Sequence, residues 1–215
     1  MAVARKQVVL RREEILDATV EQIKQRGIAT TRVADVAAAL QVSSGLVHYH
    51  FTTKEQLVEE AFAHAARREM ETLRATIGRP TSAITRLKAV LRLYSPTGQA
   101  TSWRLWIDGW SAGMRDRGLQ DVMMRMDGEW KSGITTLVEE GVRRGEFRCA
   151  DPRAAAWHIT LFLDGLAVQL AARRSALDKA EALRWVHEHV AAQLGVDPQS
   201  LAPRRVRREA APEPS

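Results

Sequence analysis

Short polar and aromatic side chains follow one another between Ser43 and Lys54, and their chemistry suits nucleic-acid binding. Hydroxyl and imidazole groups can hydrogen-bond phosphates or base edges, and Leu46 or Tyr49 can press on a thymine methyl group. A lysine beside the exposed N–H groups of a helix N-terminus can hold a phosphate. The candidate DNA-contacting residues are Thr31, Arg32, Ser43, Ser44, Gly45, Leu46, His48, Tyr49, His50, Thr53 and Lys54.

Tryptophan residues recur at helical spacing further along the chain. Trp103, Trp106 and Trp110 occupy positions i, i+3 and i+7, and Trp130 follows a methionine-rich stretch. Tryptophan faces attract organic cations through cation–π interactions, and a nearby carboxylate adds charge complementarity. The pattern indicates a pocket for a small hydrophobic or cationic molecule, although packing in a core would produce the same spacing. The candidate ligand-binding residues are Trp103, Trp106, Asp108, Trp110, Met126, Glu129, Trp130 and Phe162.

Metal and nucleophilic chemistry have weaker support. The histidine pairs, His48 with His50 and His187 with His189, have i, i+2 spacing, which points their rings to different sides of a helix. Cys149 is the single cysteine, so neither an internal disulfide nor a multi-cysteine metal site can form. The sequence contains no glycine-rich phosphate loop and no G-x-S-x-G motif. We therefore expect no catalytic residue, no metal site and no cofactor.

The composition is that of a soluble helical protein with one or two compact domains. A charged fraction of 27% excludes collagen-like, mucin-like and wholly disordered chains. The apolar runs are too short for a membrane helix, and residues 8–10 are too short for a signal-peptide core. Basic residues modestly outnumber acidic ones within residues 1–54, which permits nucleic-acid binding without proving it. We expect a cytoplasmic protein that makes no membrane contact.

Hydrophobic periodicity predicts an all-α fold of about nine helices and no strand. Residues 1–9 lack periodicity and are expected to form a mobile basic arm before a first helix, which Gly27 ends. Thr30 and Thr31 are predicted to cap the second helix, Ser43 the third and Thr53 the long fourth. The predicted helices are 11–26, 33–40, 44–51, 54–77, 82–94, 99–115, 119–144, 153–174 and 177–194.

These elements predict two domains and a tail. Residues 1–54 are expected to form a DNA-binding domain with an N-terminal arm, and residues 55–195 a ligand-binding and dimerisation domain. The proline- and arginine-rich residues 196–215 are expected to form a disordered tail.

A helix-turn-helix is predicted at residues 33–51, where a short amphipathic helix, a tight turn and a second short helix follow one another. In this motif the first helix positions the second in the DNA major groove. The outward face of the second helix is almost free of Glu, Lys and Arg, which packing alone does not explain.

The same region resembles the DNA-binding domain of the tetracycline-repressor (TetR) family. The resemblance covers roughly residues 11–60 without gaps, and the family usually has tyrosine at the position of His48. It rests on TRVADVA at 31–37, VSSGLVHYHF at 42–51 and KEQL at 54–57.

Residues 100–172 more loosely resemble the effector domain of the choline- and betaine-related repressors of this family. The features that carry this likeness are WRLWIDGW at 103–110, the stretch from EEGV at 139–142 to Phe147, and DGL at 164–166.

The resemblance implies a dimeric, ligand-controlled repressor that binds palindromic double-stranded operator DNA. Its eighth and ninth helices would form the dimer interface. Because the helical pattern runs from Lys54 into the core without a linker, we further expect effector binding to move the sixth helix and then the fourth. The sequence adds that the predicted helix at 153–174 is apolar on more than one face, although a fully buried helix of a monomer would also be.

Two other classes of function stay open at this level. A helical enzyme could use Asp108 and Glu129 in the tryptophan-rich region, and a helical interaction scaffold would need neither DNA nor a ligand. The helix-turn-helix favours the DNA-binding regulator.

Overall fold

The computed structural model describes residues 2–96, 102–172 and 177–202, with side chains from residue 11 onward and without that of Ala172. Within these ranges the chain forms ten α-helices and no strand, which confirms the all-α prediction. The helices are α1 (Ala2–Arg26), α2 (Val33–Ala39), α3 (Ser44–His50), α4 (Lys54–Ile77), α5 (Ala83–Tyr94), α6 (Trp103–Gly113), α7 (Arg117–Arg143), α8 (Pro152–Ala172), α9 (Lys179–Leu194) and α10 (Pro198–Leu201).

The predicted caps of α3 and α4 are present. The Ser43 hydroxyl accepts the backbone N–H of Leu46, and the Thr53 hydroxyl accepts that of Gln56. Each bond satisfies a helix N–H that has no partner within the helix. Together the two caps fix both ends of the recognition segment.

The predicted cap of α2 was wrong. Arg32 occupies the N-cap position, and the carboxylate of Asp35 accepts its backbone N–H at 3.0 Å. The hydroxyls of Thr30 and Thr31 instead donate to the carbonyl groups of Arg26 and Gly27. Both threonines therefore stabilise the loop that follows α1, where Gly27 has the left-handed φ of +84°.

Two hydrophobic cores run through the molecule, and α4 and α7 contribute to both. The first joins α1, α2 and α3 to the early turns of α4 and to α6, through residues such as Ile15, Val47, Phe51 and Phe62. The second joins the later turns of α4 and α7 to α5, α8 and α9. The helix-turn-helix therefore packs directly on the helices that build the larger domain.

Both chain ends differ from the prediction. α1 begins at Ala2, so residues 2–9 are helical and not an arm. The predicted tail contains α10, and Leu201 is buried in the second core. The packing of Leu201 in this core, where α10 contacts α9, orders the start of the segment despite its prolines. Residues 203–215 lie outside the described part, as do parts of the predicted helices at 99–115 and 153–174.

One helix in the described part is long and apolar enough to cross a membrane, over Pro152–Ala171 of α8. Length and composition alone are weak evidence, because a core helix of a globular protein meets the same criteria. α8 packs on α7 and α9 and contributes Ile159, Leu163 and Leu166 to the second core.

Candidate DNA and effector sites

The outward side of α3 presents most of the predicted DNA-contacting residues to solvent. Tyr49 is 77% exposed. Leu46 and His50 are half-buried at the edge of this surface, while Val47 between them is fully buried in the core. The other predicted residues that are exposed are Arg32, Ser43, Ser44, Gly45, His48 and Thr53.

Two predicted residues have other contacts. Thr31 is buried, and its hydroxyl is committed to the Gly27 carbonyl, so its side chain is not on the surface. Lys54 is half-buried and its Nζ donates to the Ala29 carbonyl at 3.3 Å. Lys54 therefore ties the start of α4 to the loop before α2.

Arg12 of α1 contacts the C-terminal end of α3. Its guanidinium lies 4.3 Å from the centroid of the Phe51 ring, donates to the His50 carbonyl at 2.7 Å and pairs with Glu60 on α4. Burial lowers the pKa of His50, and the charges of Arg12 and Arg11 lower it further. His50 is therefore held in its neutral form at neutral pH.

A cavity of about 250 Å³ lies between α4, α5, α6 and α7. Four aromatic side chains form the aromatic box of this cavity: Tyr94, Trp103, Trp106 and Trp130. The Tyr94 ring stacks on Trp130 with centroids 3.9 Å apart and meets Trp103 edge-on at 4.7 Å. The remaining lining residues are Glu69, Thr72, Leu73, Val90, Leu93 and Ser102.

Hydrogen bonds fix the orientation of the box. The Trp103 indole donates to the Tyr94 carbonyl at 3.0 Å, and the Trp106 indole donates to the Glu69 carboxylate at 3.1 Å. The Tyr94 hydroxyl donates to Asp164 on α8 at 2.9 Å. With the polar edges of Tyr94, Trp103 and Trp106 bonded to the protein, these rings present mainly apolar aromatic surface to the cavity.

The negative charge at this site comes from Glu69. Burial raises the pKa of Glu69, while hydrogen bonds from Trp106 and Ser102 and the charge of Lys24 oppose that rise. Behind Tyr94, burial raises the pKa of Asp164 to about 6. None of the residues that line the cavity is Lys or Arg, so aromatic faces and a carboxylate define its chemistry.

Three of the eight predicted ligand-binding residues line the cavity: Trp103, Trp106 and Trp130. Trp110 meets Trp103 edge-on at 6.3 Å outside the cavity lining, and Met126 is half-buried between the two cores. Phe162 stacks on His189 of α9 at 4.3 Å.

The two predicted carboxylates, Asp108 and Glu129, do not line this cavity. Asp108 accepts the backbone N–H of Ile28 in the α1–α2 loop at 2.6 Å. Glu129 pairs with Arg74 at 2.7 Å, and both side chains are more than half exposed. The helical rotation between these residues and the tryptophans turns their side chains away from the cavity.

Sequence reasoning missed Glu69 and the role of Tyr94. A signal for Glu69 was present, because it interrupts the buried face of α4 formed by Phe62, Ala66 and Leu73. An acidic residue at such a position often has a specific partner. Tyr94 continues the apolar face of α5, and nothing in that local pattern indicates that its ring lines a cavity.

Family models match both halves of the chain. Residues 15–61 match the bacterial regulatory proteins of the tetR family, and residues 83–195 match the C-terminal domain of BetI-type transcriptional repressors. The second match alone covers more than half of the chain. The chain belongs to the TetR family.

Relatives of this TetR-family regulator include the HTH-type transcriptional regulator BetI of Burkholderia ambifaria, strain MC40-6. The two are 26% identical over 194 residues, which cover 87% of this chain and 96% of the relative. The BetI regulator of Paraburkholderia phymatum is 28% identical, with 84% and 91% covered. The chain is therefore a ligand-responsive DNA-binding transcriptional regulator and not an enzyme, as the sequence predicted.

Solved structures agree on the fold. A transcriptional regulator from Saccharomonospora viridis, crystallised in complex with choline, superimposes with a TM-score of 0.79 at 22% identity, covering 86% of this chain and 98% of that one. A TetR transcription regulator from Haloarcula marismortui gives a TM-score of 0.75 at 19% identity, with 85% and 97% covered.

Proposed function

We propose that this regulator is a homodimeric repressor, which a small quaternary ammonium compound of the choline type releases from its operator. The observation that carries this proposal is the aromatic box beside the Glu69 carboxylate. The choline complex of the Saccharomonospora viridis regulator, which shares the fold, supports the same ligand class.

The chemistry of the cavity suits a quaternary ammonium group. Such a group cannot donate an N–H bond, so a protein recognises it through aromatic faces and through charge. Glu69 supplies the charge, and burial around it reduces screening by water. The small volume of the cavity suits a molecule smaller than most drug-sized ligands.

The DNA-binding domain is assigned to residues 1–54, with α3 entering the major groove. Tyr49, His48, Ser43 and Ser44 would contact bases or phosphates, and Gly45 would let the backbone approach the DNA closely. Thr31 and Lys54 would act by holding the loop before α2 in place.

Dimerisation is assigned to α8 and α9, within a domain of residues 55–195. Apolar side chains remain exposed on these helices, notably Leu161 at 55%, together with Trp157 and Trp185. A second copy would cover them by forming a four-helix bundle. The dimer would place two recognition helices about 34–36 Å apart for a palindromic site. The protein would act in the cytoplasm, where bacterial DNA is located.

Release would follow from a population shift. Ligand in the cavity would favour a different position of α6, whose Trp103 and Trp106 line the cavity, and then of α4. α4 begins immediately after the helix-turn-helix, so its movement would change the separation of the recognition helices.

The test is a titration of intrinsic tryptophan fluorescence with choline and with its neutral tert-butyl isostere. We expect wild-type protein to bind choline and to bind the isostere far more weakly. Glu69→Gln should weaken choline binding about ten-fold, since one charge interaction is lost. Glu129→Gln is the matched control and should leave binding unchanged, because Glu129 pairs with Arg74 at the surface.

Equal binding of choline and the isostere would contradict the role of charge, and no binding of either would reject this ligand class. Release is tested with a duplex selected from random-sequence DNA by the wild-type protein. Choline that binds the protein but leaves the affinity for this duplex unchanged would reject the release mechanism.

A further inference from the structure

Helix α6 touches both the cavity and the DNA-binding region. Trp103 and Trp106 at its start line the cavity. Asp108 follows two residues later, and its side chain points the other way, toward the loop between α1 and α2. There its Oδ2 atom accepts the backbone N–H of Ile28 at 2.6 Å. A single helix therefore carries the ligand-facing rings and a polar contact to the loop before the helix-turn-helix.

The loop that receives this contact is tightly constrained. The Gly27 carbonyl accepts both the N–H of Thr31, at 3.2 Å, and its hydroxyl, at 2.8 Å. A Cβ at Gly27 would lie 3.2 Å from Asp108 Oδ2, so glycine permits the close approach of the carboxylate. An ion pair of 2.8 Å between Arg26 and Asp35 ties the end of α1 to α2. The Ile28 N–H therefore moves with α1 and α2 as a unit.

Close packing holds α6 against α4 beside the cavity. A Cβ at Gly109 would lie 2.5 Å from the Phe62 ring, so the two helices are as near as glycine allows. The Trp106 ring meets the Phe62 ring edge-on at 5.9 Å. With so little space between the helices, displacement of Trp106 must move α6 rather than be absorbed locally.

We propose that Asp108 is a positioning residue that couples the effector cavity to operator affinity. Its bond to the Ile28 N–H stabilises the orientation of α1–α3 that binds the operator, and a filled cavity moves α6 and weakens this bond. This inference rests on the proposed function, because it assumes that the cavity is the effector site.

The coupling has a thermodynamic signature that a purely structural role lacks. If effector and operator favour different orientations, removing the bond shifts the population toward the effector-binding one. Effector affinity then rises while operator affinity falls, and their ratio changes by the same factor whichever orientation dominates at the start. Damage to the fold would instead lower both affinities.

The experiment compares wild type, Asp108→Ala and Asp108→Asn. Choline affinity is measured without DNA, and operator affinity without choline, on the duplex selected by the wild-type protein. For Asp108→Ala we expect the ratio of choline affinity to operator affinity to rise about ten-fold, since a bond to a charged acceptor is lost. Asp108→Asn keeps an oxygen that can accept the Ile28 N–H and should raise the ratio less.

Asp121→Ala is the matched control, because Asp121 is an exposed aspartate on α7 and should leave the ratio unchanged. An unchanged ratio in Asp108→Ala, or a parallel loss of both affinities with a lowered unfolding midpoint, overturns the coupling role. Wild-type protein that failed to bind choline would reject the proposed effector and, with it, the coupling that rests on it. An unchanged ratio in a protein that does bind choline would reject the coupling alone.

Discussion

One of the two tyrosines of the chain lies on the proposed DNA-binding surface and the other in the proposed effector cavity, and their surroundings differ. Tyr49 projects from α3 and is 77% exposed. Tyr94 is packed between Trp103 and Trp130, and its hydroxyl is bonded to Asp164. The exposed surface of α3 leaves its polar groups in contact with water, whereas most polar edges in the cavity are already hydrogen-bonded within the protein.

This contrast predicts how each region responds to change. A side chain on the exposed surface contributes to binding with little effect on folding, because few contacts depend on it. A side chain in the cavity contributes to both, because the same packing that shapes the cavity stabilises the second core. The expected effects below are ordered from the largest to the smallest.

Truncation of Tyr49 is expected to have the largest effect. Tyr49→Ala should reduce operator affinity about 100-fold, because a base or phosphate contact is lost in each half of a symmetric dimer. Choline affinity and the unfolding midpoint should stay at wild-type values. Fluorescence anisotropy with the selected duplex measures the loss, and Met124→Ala, another exposed large side chain, is the control. Wild-type operator affinity in Tyr49→Ala would remove Tyr49 from the DNA interface.

Removing the hydroxyl of Tyr94 or of Tyr49 should change the free energy of unfolding by different amounts. Tyr94→Phe should lower the free energy of unfolding by about 1–3 kcal/mol, because the half-buried Asp164 loses a donor. Tyr49→Phe should change it by less than about 0.5 kcal/mol, as expected for an exposed group. Urea unfolding monitored by circular dichroism measures both. If both variants lost similar free energy of unfolding, the Tyr49 hydroxyl would contribute as much to stability as the Tyr94 hydroxyl, and the contrast between the two regions would fail.

Substitution of Arg12 tests whether DNA binding by the exposed surface of α3 depends on the contacts that α1 makes with the end of α3. Arg12→Ala should reduce operator affinity about ten-fold, because the end of α3 loses its bond to the His50 carbonyl and its contact with Phe51. Arg11→Ala removes the same charge from the neighbouring position, where the partner is Glu14 on the same helix. If both variants lose affinity equally, Arg12 acts through its charge and not through the position of α3.

The smallest expected effect is on pH dependence. Choline affinity should fall several-fold from pH 7 to pH 5, because protonation of Asp164, with its pKa raised to about 6 by burial, removes negative charge beside the box. The charges that face Asp164 are Asp127, which raises the pKa further, and Lys131, which lowers it. Calorimetric titration should show a smaller decrease in Asp164→Asn. An equal decrease in that variant would assign the pH effect to Glu69.

The contribution of Asp164 to folding stability should increase as pH falls, whereas choline affinity should decrease. Because the pKa of Asp164 is higher in the folded protein than its ordinary value of 3.8, the folded state binds the proton more tightly. The contribution of Asp164 to stability therefore declines as pH rises from about 4 to about 6. Urea unfolding across this range, compared with Asp164→Asn, isolates that contribution.

The sequence by itself determined the helix-turn-helix and the capping of its second helix. Capping and helix packing within residues 33–51 depend on spacings of three or four residues, so Ser43, Val47 and Phe51 could be assigned from the chain alone. The fold class followed in the same way from periodicity along each helix.

Only the tertiary structure decided which carboxylate faces the tryptophans. Asp108 is near Trp106 in sequence, but a helix turns about 100° per residue, which directs it toward the opposite side. Glu69 comes from α4 and Tyr94 from α5, and they meet α6 and α7 only because long-range packing aligns four helices around one cavity. The same packing, through Leu201 and the second core, ordered the start of the segment expected to be a tail. Such contacts join residues far apart in the chain, and no local pattern specifies them.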